Sequence, residues 1–395
     1  MNPEQDIVVS WLPLYHDMGL IGCVLTCIAT QTPLVLIPPL DFLKRPVSWL
    51  RSVSKYRGSL GFAPNFAYGL TARRVRARDL KDLDLSSWRV AGCGAEPIQR
   101  RTLEAFGDRF QSVGFDVNAF LPAYGLAEST LAVTFAPLST GLKSIHVSRE
   151  TLISEERAEL VSADAQDAEE MICLGLPFKG HGLGILGPDG FVEDGRVGEV
   201  VVQGPSVTSG YFEADEHNQS LFWEGWLRTG DLGFLHEGQL VICGRQKDLI
   251  IHNGRNYYAS DIEAVACSIE GVRPGQVAAF GVYNKDHEDI VVCAEIRAKA
   301  NPEEIQRAIQ MAVMERFGLK VTKVPIVPRG ALPKTSSGKI RRHKARELFL
   351  NEQFDNAQDS KLDTARHLAS SQIGLLRNHI TGFLNRLNRD RWTNK

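Results

Sequence analysis

The chain has 395 residues, enough for about two or three domains. Hydrophobic residues make up 43% and charged residues 23%, which excludes a disordered or collagen-like chain. The 45 Lys and Arg against 47 Asp and Glu leave a formal charge of -2, so no global basic field argues for nucleic acid.

The seven cysteines (Cys23, Cys27, Cys93, Cys173, Cys243, Cys267 and Cys293) are scattered, with no C-x-x-C pair and no zinc spacing. They read as reduced thiols of a cytoplasmic protein. The opening MNPEQDIVVSW has no basic region followed by an apolar one, so no secretory signal is expected. Residues 18–40 carry no charge and are long enough to span a bilayer. Gln31, Pro33, Pro38 and Pro39 interrupt them, however. The stretch predicts a buried helix over about 19–30 and a buried strand over about 33–37, with no transmembrane span.

Residues 42–56 carry Phe42, Val47, Leu50 and Val53 at helical spacing, with Pro46 near the start. WRVAGCGAEPI (88–98) reads as a strand ending in a Gly-rich turn, and 99–110 as the helix after it. Residues 116–123 lead into a second strand and turn, PAYGLAEST (122–130). Strands feeding turns and then helices imply a layered α/β core. Residues 148–170 are acidic and expected at the surface, with a short helix at most. From 172 to 244, short runs between glycines (GHGLGIL, GEVVVQG, GQLVICG) predict antiparallel β structure.

Alternation returns over 249–350, with helices at 261–269 and 303–317 and strands at 277–282 and 290–296. The expected division is a large domain over 1–243, a junction at 244–248, a small α+β domain over 249–350 and a helical tail over 351–395. The tail's apolar residues recur at helical spacing, and arginines dominate its charge. It reads as a helix packed on the body or a partner, or as a membrane-surface element.

Five motifs carry polar chemistry. LPKTSSGKIRR (332–342) offers hydroxyls, backbone N–H groups and the point charge of Lys339, which suit phosphate or carboxylate oxygens. Its glycine spacing is not that of a Walker loop, and a solvated basic loop is the plainer reading. In WLRTGDLG (226–233), Asp231 lies between glycines, where it can accept from a ribose diol or bond its own turn. In PAYGLAEST, Tyr124 can present a flat ring to a base and Glu128 can bind a hard cation, or the segment is an ordinary strand-to-helix turn. CGAEP (93–97) lets a planar ligand approach the backbone, or is a plain turn. In LPLYHDMG (12–19), His16 beside Asp17 is an acid–base pair, a pocket gate or a structural histidine.

Taken in order, LPLYHDMG, CGAEP, PAYGLAEST, GWLRTGDLG, GRQKD (244–248) and LPKTSSGK resemble the core motifs of the adenylate-forming enzymes over about residues 5–350. Within that superfamily the chain is most similar to the fatty acyl-AMP ligases. PNFAY (64–68), GRNYYASDIE (254–263) and the long segment at 131–175, similar to the insertion of those ligases, carry the likeness. Ala259-Ser260 and MICLG (171–175) depart from the usual pattern.

The resemblance implies an adenylate-forming fold, a layered α/β part with a β-barrel-like subdomain and a small C-terminal α+β domain. It implies that a fatty acid and Mg·ATP give acyl-AMP and pyrophosphate. The acyl group then passes to the phosphopantetheine of an acyl carrier protein, or of a carrier domain of a polyketide synthase or peptide synthetase. By the same resemblance, Gly94, Ala95, Glu96, Tyr124 and Gly125 hold adenine, and Asp231 and Arg245 hold the ribose. Glu128 binds Mg²⁺, Lys339 bridges the acyl carboxylate and phosphate, and His16 lines the junction of acyl tunnel and nucleotide. Lys247 is the hinge with Asp248 beside it, and residues 18–28 and 61–68 help line the tunnel.

The family's Thr/Ser/Gly-rich phosphate loop lies upstream of LPLYHDMG, and only ten residues precede Trp11. The expectation is therefore a ligase that is truncated or split and works with a separately encoded N-terminal part. A chain with weak activity of its own, a long-chain CoA ligase, and a non-catalytic adenylate-binding or carrier-docking fragment are the alternatives.

Overall fold

The computed structural model describes residues 1–252, 255–284, 287–335 and 339–354. The expected tail over 351–395 lies outside the described residues from 355 onward, as do residues 336–338 of the basic loop. The chain divides into two compact units, Met1–Ser260 and Asp261–Lys395.

The first unit is built on a seven-stranded mixed sheet. Its order is Leu34–Leu36, Val8–Ser10, Leu60–Ala63, Val90–Cys93, Phe120–Gly125, Ala132–Phe135 and Leu176–Pro177. The first five strands run parallel, and the last two are each joined by an antiparallel pairing. Parallel neighbours need crossovers, and helices supply them, including Val47–Tyr56, Asn65–Arg74 and Arg100–Phe110. Their apolar faces meet the sheet in an aromatic core. Trp11 stacks on Phe42 at 3.9 Å between ring centroids, and Trp49 meets Trp88 edge-on at 4.9 Å. Tyr68, Phe106, Phe115 and Phe120 are buried in the same cluster.

Three expectations need correction here. The helix expected over 42–56 is two helices, Pro39–Lys44 and Val47–Tyr56. Arg45, which precedes Pro46, sits at φ -140° and ψ 80°, outside the helical region, because the proline ring disfavours that region for its predecessor.

The apolar stretch at 17–30 is helical but only half buried. It runs through Asp17–Gly19, a π-helical segment Leu20–Leu25, and Thr26–Thr30. Met18, Cys23 and Cys27 face the core, while Leu20, Leu25 and Ile28 are exposed. The following strand, Leu34–Leu36, is the edge of the sheet rather than a buried strand, so Leu36 is exposed. No described helix is long and apolar enough to cross a membrane.

The expected antiparallel region is a second, six-stranded sheet. Gly182–Gly187 pairs with Gly198–Gln203, which pairs with Trp226–His236, which pairs with Gln239–Arg245. Val200, Val202, Leu227 and Leu240 are buried within it. The acidic segment is more ordered than its composition suggests. Ser144–Ser148 and Ala168–Ile172 form an antiparallel pair around the helix Arg149–Ser154. Val147 and Leu152 are buried against Phe234 and Val241, which anchors the segment to the second sheet.

The hairpin of Leu249–His252 and Arg255–Tyr258 also belongs to the first unit. Arg255 pairs with Glu150 at 3.1 Å and Asn256 donates to Glu156 at 2.8 Å. The Tyr258 ring packs over Gly244, where a Cβ would come within 2.6 Å. The compact boundary therefore falls after Ser260, a little beyond the expected start of the small domain at 249.

The second unit begins at Asp261, within the helix Ala259–Ser268. Its sheet pairs Val272–Asn284 antiparallel with His287–Ile296, which takes Val321–Lys323 and Ile326–Val327 in parallel. The helix Pro302–Phe317 starts where Asn301 accepts the Glu303 N–H and ends at Gly318, whose φ is 65°. Glu263 ties the unit together. It accepts from the Ala279 backbone at 3.0 Å and takes the Arg342 guanidinium at 2.7 and 2.8 Å.

Candidate active site

Open sheets with parallel strands bind ligands at the carboxyl ends of those strands. Two of the motifs emerge there. CGAEP follows the strand Val90–Cys93, and PAYG ends the strand Phe120–Gly125. The two turns approach so closely that a Cβ on Gly94 would lie 2.7 Å from the Ala123 carbonyl oxygen. Ala95 is held at φ 67°, a left-handed conformation that costs a residue with a side chain. Glu96 Oε1 accepts the Phe66 backbone N–H at 2.5 Å, at the start of the helix Asn65–Arg74. Its carboxylate thus caps a helix, a role the motif does not announce. Gly125 is sterically required, because a Cβ there would lie 1.9 Å from the Leu131 carbonyl oxygen.

Asp231 is the centre of the polar site. It is 7% exposed and sits in the strand Trp226–His236, paired in register with Arg245. Arg245 Nε donates to its Oδ1 at 2.6 Å, and the Tyr124 hydroxyl donates to its Oδ2 at 2.7 Å. Each carboxylate oxygen has two lone pairs, so Asp231 retains capacity for a ligand's hydroxyls. Burial, and then the Asp231 charge, push the Tyr124 phenol well above its ordinary value. Tyr124 is therefore a neutral hydrogen-bond donor at ordinary pH. Burial opposes the Arg245 charge, but the Asp231 carboxylate outweighs it and the net shift is upward.

The turn that presents Asp231 is braced from the neighbouring strand. Buried Glu199 takes Arg228 Nε at 2.8 Å and the Gly230 N–H at 3.1 Å. Thr229 Oγ1 donates to the Val200 carbonyl at 2.7 Å and accepts the Asp231 N–H at 3.1 Å. Motif reasoning missed Glu199. Its one signal was a lone carboxylate in the apolar run GEVVVQG.

Glu128 lies in the short turn Ala127–Ser129 that follows the Phe120–Gly125 strand. The next residue but one, Thr130, has φ 64° and ψ -53°, an outlier for a β-branched residue. The Tyr211 hydroxyl donates to the Glu128 carboxylate. That bond, then burial, raises the Tyr211 phenol to about 12. Tyr211 was also missed, since GYF (210–212) has no spacing that distinguishes it from a loop. Among the described residues no cluster of three or more His, Cys, Asp or Glu side chains is arranged to hold a metal. A single carboxylate nonetheless suits Mg²⁺, which is commonly held by one or two carboxylates plus substrate phosphates. Glu128 fits that role.

His16 and Asp17 do face each other, with Nδ1 2.5 Å from Oδ1, at the start of the 17–30 helix. The Met18 N–H lies 2.7 Å from Asp17 Oδ1 and 3.3 Å from His16 Nδ1. Lys247 is exposed and Asp248 half-buried in the turn Gln246–Asp248 that directly follows Arg245. Lys339 lies in the second unit and is exposed. Its N–H donates to Thr335 Oγ1 at 3.1 Å, and its carbonyl accepts the Thr335 N–H at 2.8 Å. Of the expected tunnel lining, Tyr68 is fully buried in the aromatic core, with its hydroxyl on the Gly92 carbonyl at 2.8 Å, so it presents no surface to a tunnel. All seven cysteines are free thiols.

The structure thus joins Tyr124, Asp231 and Arg245 into one cluster and gives Glu128 a separate partner. Comparison with known proteins bears on what such a site belongs to. A family model described as AMP-binding enzyme matches residues 1–212, and one described as the AMP domain of Disco-interacting protein 2-like proteins matches 247–359. A putative acyl-CoA synthetase of Caulobacter vibrioides is 38% identical, over 88% of this chain and 61% of its own length. A medium-chain fatty acid–acyl-carrier-protein ligase of Moorena producens, JamA, is 36% identical, over 89% of this chain and 62% of its own length. A structure from work on fatty acyl-adenylate ligases of E. coli and L. pneumophila superposes with a TM-score of 0.82 at 39% identity, covering 87% of this chain and 62% of that one. The chain therefore spans about three fifths of the length of the relatives it matches. Its sheet order, its strand-end site and these matches identify it as a member of the AMP-binding family of adenylate-forming enzymes.

Proposed function

We propose that the chain activates a fatty acid with ATP to form acyl-AMP and passes the acyl group to the phosphopantetheine thiol of an acyl carrier protein. The observation that carries this reading is the Tyr124–Asp231–Arg245 cluster at the carboxyl ends of the parallel strands. It offers a ring face for a base and a buried carboxylate for a vicinal diol, which together suit an adenosine.

In the first half-reaction a carboxylate oxygen of the fatty acid bonds to the α-phosphorus, and the bond to pyrophosphate breaks. Asp231 and Arg245 hold the ribose, Tyr124 and the 94–96 turn hold the base, and Glu128 holds Mg²⁺. Bound there, the cation neutralises phosphate charge. Lys339 sets its ammonium between the acyl carboxylate and the phosphate, where charge develops. His16 lines the acyl side, and Lys247 with Asp248 is the hinge between the two half-reactions. In the second, the thiol sulfur bonds to the acyl carbonyl carbon, AMP leaves, and the thiol proton is lost. The ordered segment at 144–172 lies within the stretch 131–175 that resembles the insertion of acyl-AMP ligases, and this favours a carrier protein over free coenzyme A as acceptor.

The test is pyrophosphate release from Mg·ATP and dodecanoate, with AMP binding measured alongside. Release that depends on the fatty acid supports the ligase. No release, with AMP still bound, supports adenylate binding without catalysis. Free coenzyme A against a phosphopantetheinylated carrier then distinguishes the acceptors, and thioester on coenzyme A alone would overturn the carrier reading.

A further inference from the structure

The turn that carries Glu128 is clasped by a second loop, residues 204–211. The Thr208 N–H donates to the Glu128 carbonyl at 2.7 Å. Thr130 Oγ1 donates to the Ser206 carbonyl at 2.8 Å. Ser206 Oγ lies 3.2 Å from Ser129 Oγ and 2.7 Å from His181 Nε2. These bonds hold Thr130 at its positive φ and fix the backbone on either side of Glu128.

The loop ends at Tyr211, which is itself preset. Asn218 Oδ1 accepts the Tyr211 N–H and Asn218 Nδ2 donates to its carbonyl, both at 2.8 Å. The His217 ring lies 5.2 Å from the Tyr211 ring. A glutamate on a turn otherwise has three side-chain torsions to order when a cation arrives. Here the ordering is done in advance, because the Tyr211 hydroxyl occupies Glu128 Oε1.

We propose that Tyr211 is a positioning residue for the metal-binding carboxylate: its hydroxyl engages Oε1 and so presents Oε2 of Glu128 to a divalent cation. The inference rests on Glu128 as the cation ligand, and it adds a residue that no motif indicates. Asn218 acts one step further out, by setting the Tyr211 backbone.

The test is Mn²⁺ binding, read by electron paramagnetic resonance in the presence of α,β-methylene-ATP, with metal-free AMP affinity measured alongside. Tyr211→Phe should weaken Mn²⁺ binding fivefold or more and leave metal-free AMP affinity within twofold. Asn218→Ala should shift Mn²⁺ affinity in the same direction by less. Glu128→Gln should lose the Mn²⁺ signal. Tyr211→Phe binding Mn²⁺ within twofold of wild type, while Glu128→Gln loses it, would overturn the role of Tyr211 and leave Glu128 standing. Equal losses of Mn²⁺ and AMP affinity in Tyr211→Phe would show loop collapse and overturn it too. Unchanged Mn²⁺ binding by Glu128→Gln, or none by the wild-type chain, would remove Glu128 as the ligand and the inference with it.

Discussion

The Tyr124 hydroxyl meets Asp231 Oδ2 at 2.7 Å across 107 residues of sequence. That bond joins the first sheet's strand-end turn to the second sheet, and Arg245 closes the cluster from the adjacent strand. Two consequences follow. The Asp231 carboxylate has a fixed orientation before any ligand arrives, and Tyr124 cannot be altered without disturbing it.

Asp231→Asn should lower AMP affinity about 10-fold to 100-fold. A hydrogen bond to a charged group is worth about 1.5–3 kcal/mol, and the amide no longer supplies that charge. The exposed share of the Arg245 pair contributes less, because solvent screens it. Isothermal titration with AMP reads the change. Affinity within threefold of wild type would remove Asp231 as the ribose ligand.

Lys339→Ala should reduce pyrophosphate release by about two to three orders of magnitude while leaving AMP affinity within twofold. Lys339→Arg should recover little of it, since a planar guanidinium does not replace a compact ammonium charge. Parallel loss of AMP affinity would point to a binding role instead of a catalytic one.

Gly125→Ala should destabilise the fold by about 1–3 kcal/mol or more, since the added carbon meets backbone rather than a movable side chain. Urea denaturation followed by tryptophan fluorescence measures it. An unchanged midpoint would mean that the 125–132 turn relaxes freely.

Asp6 supplies a pH prediction. It is buried at the start of the first strand. Arg89 donates to it at 2.7 and 3.0 Å, and Ser59 and the Asn2 N–H donate at 2.8 and 2.7 Å. Burial opposes its charge, but these donors outweigh it and hold the carboxyl at about 2, below its ordinary 3.8. A depressed carboxyl stabilises the fold above its unfolded value and ceases to do so as pH falls through the folded one. Stability should therefore drop between about pH 4 and pH 2, and Asp6→Asn should flatten that part of the profile. Identical acid limbs in the two proteins would refute the assignment.

Much of the architecture was legible from local pattern. The strand, turn and helix of 88–110, the antiparallel runs between glycines, and the Pro302–Phe317 helix all follow from period and punctuation. The Arg45–Pro46 break and the exposed face of the 17–30 helix were not legible. A proline's effect on its predecessor competes with apolar spacing, and spacing alone does not say whether both faces of an apolar helix find partners.

The amino-acid sequence by itself determined the family, because the order and spacing of the motifs around Tyr124, Glu128, Asp231, Arg245 and Lys339 are local properties of the chain. Only the tertiary structure decided what each of the described side chains does. It set Asp231 between Tyr124 and Arg245, turned Glu96 into a helix cap, and brought Tyr211 to Glu128 across 83 residues. Such pairings depend on strand register and on the approach of separate turns, which no local spacing encodes.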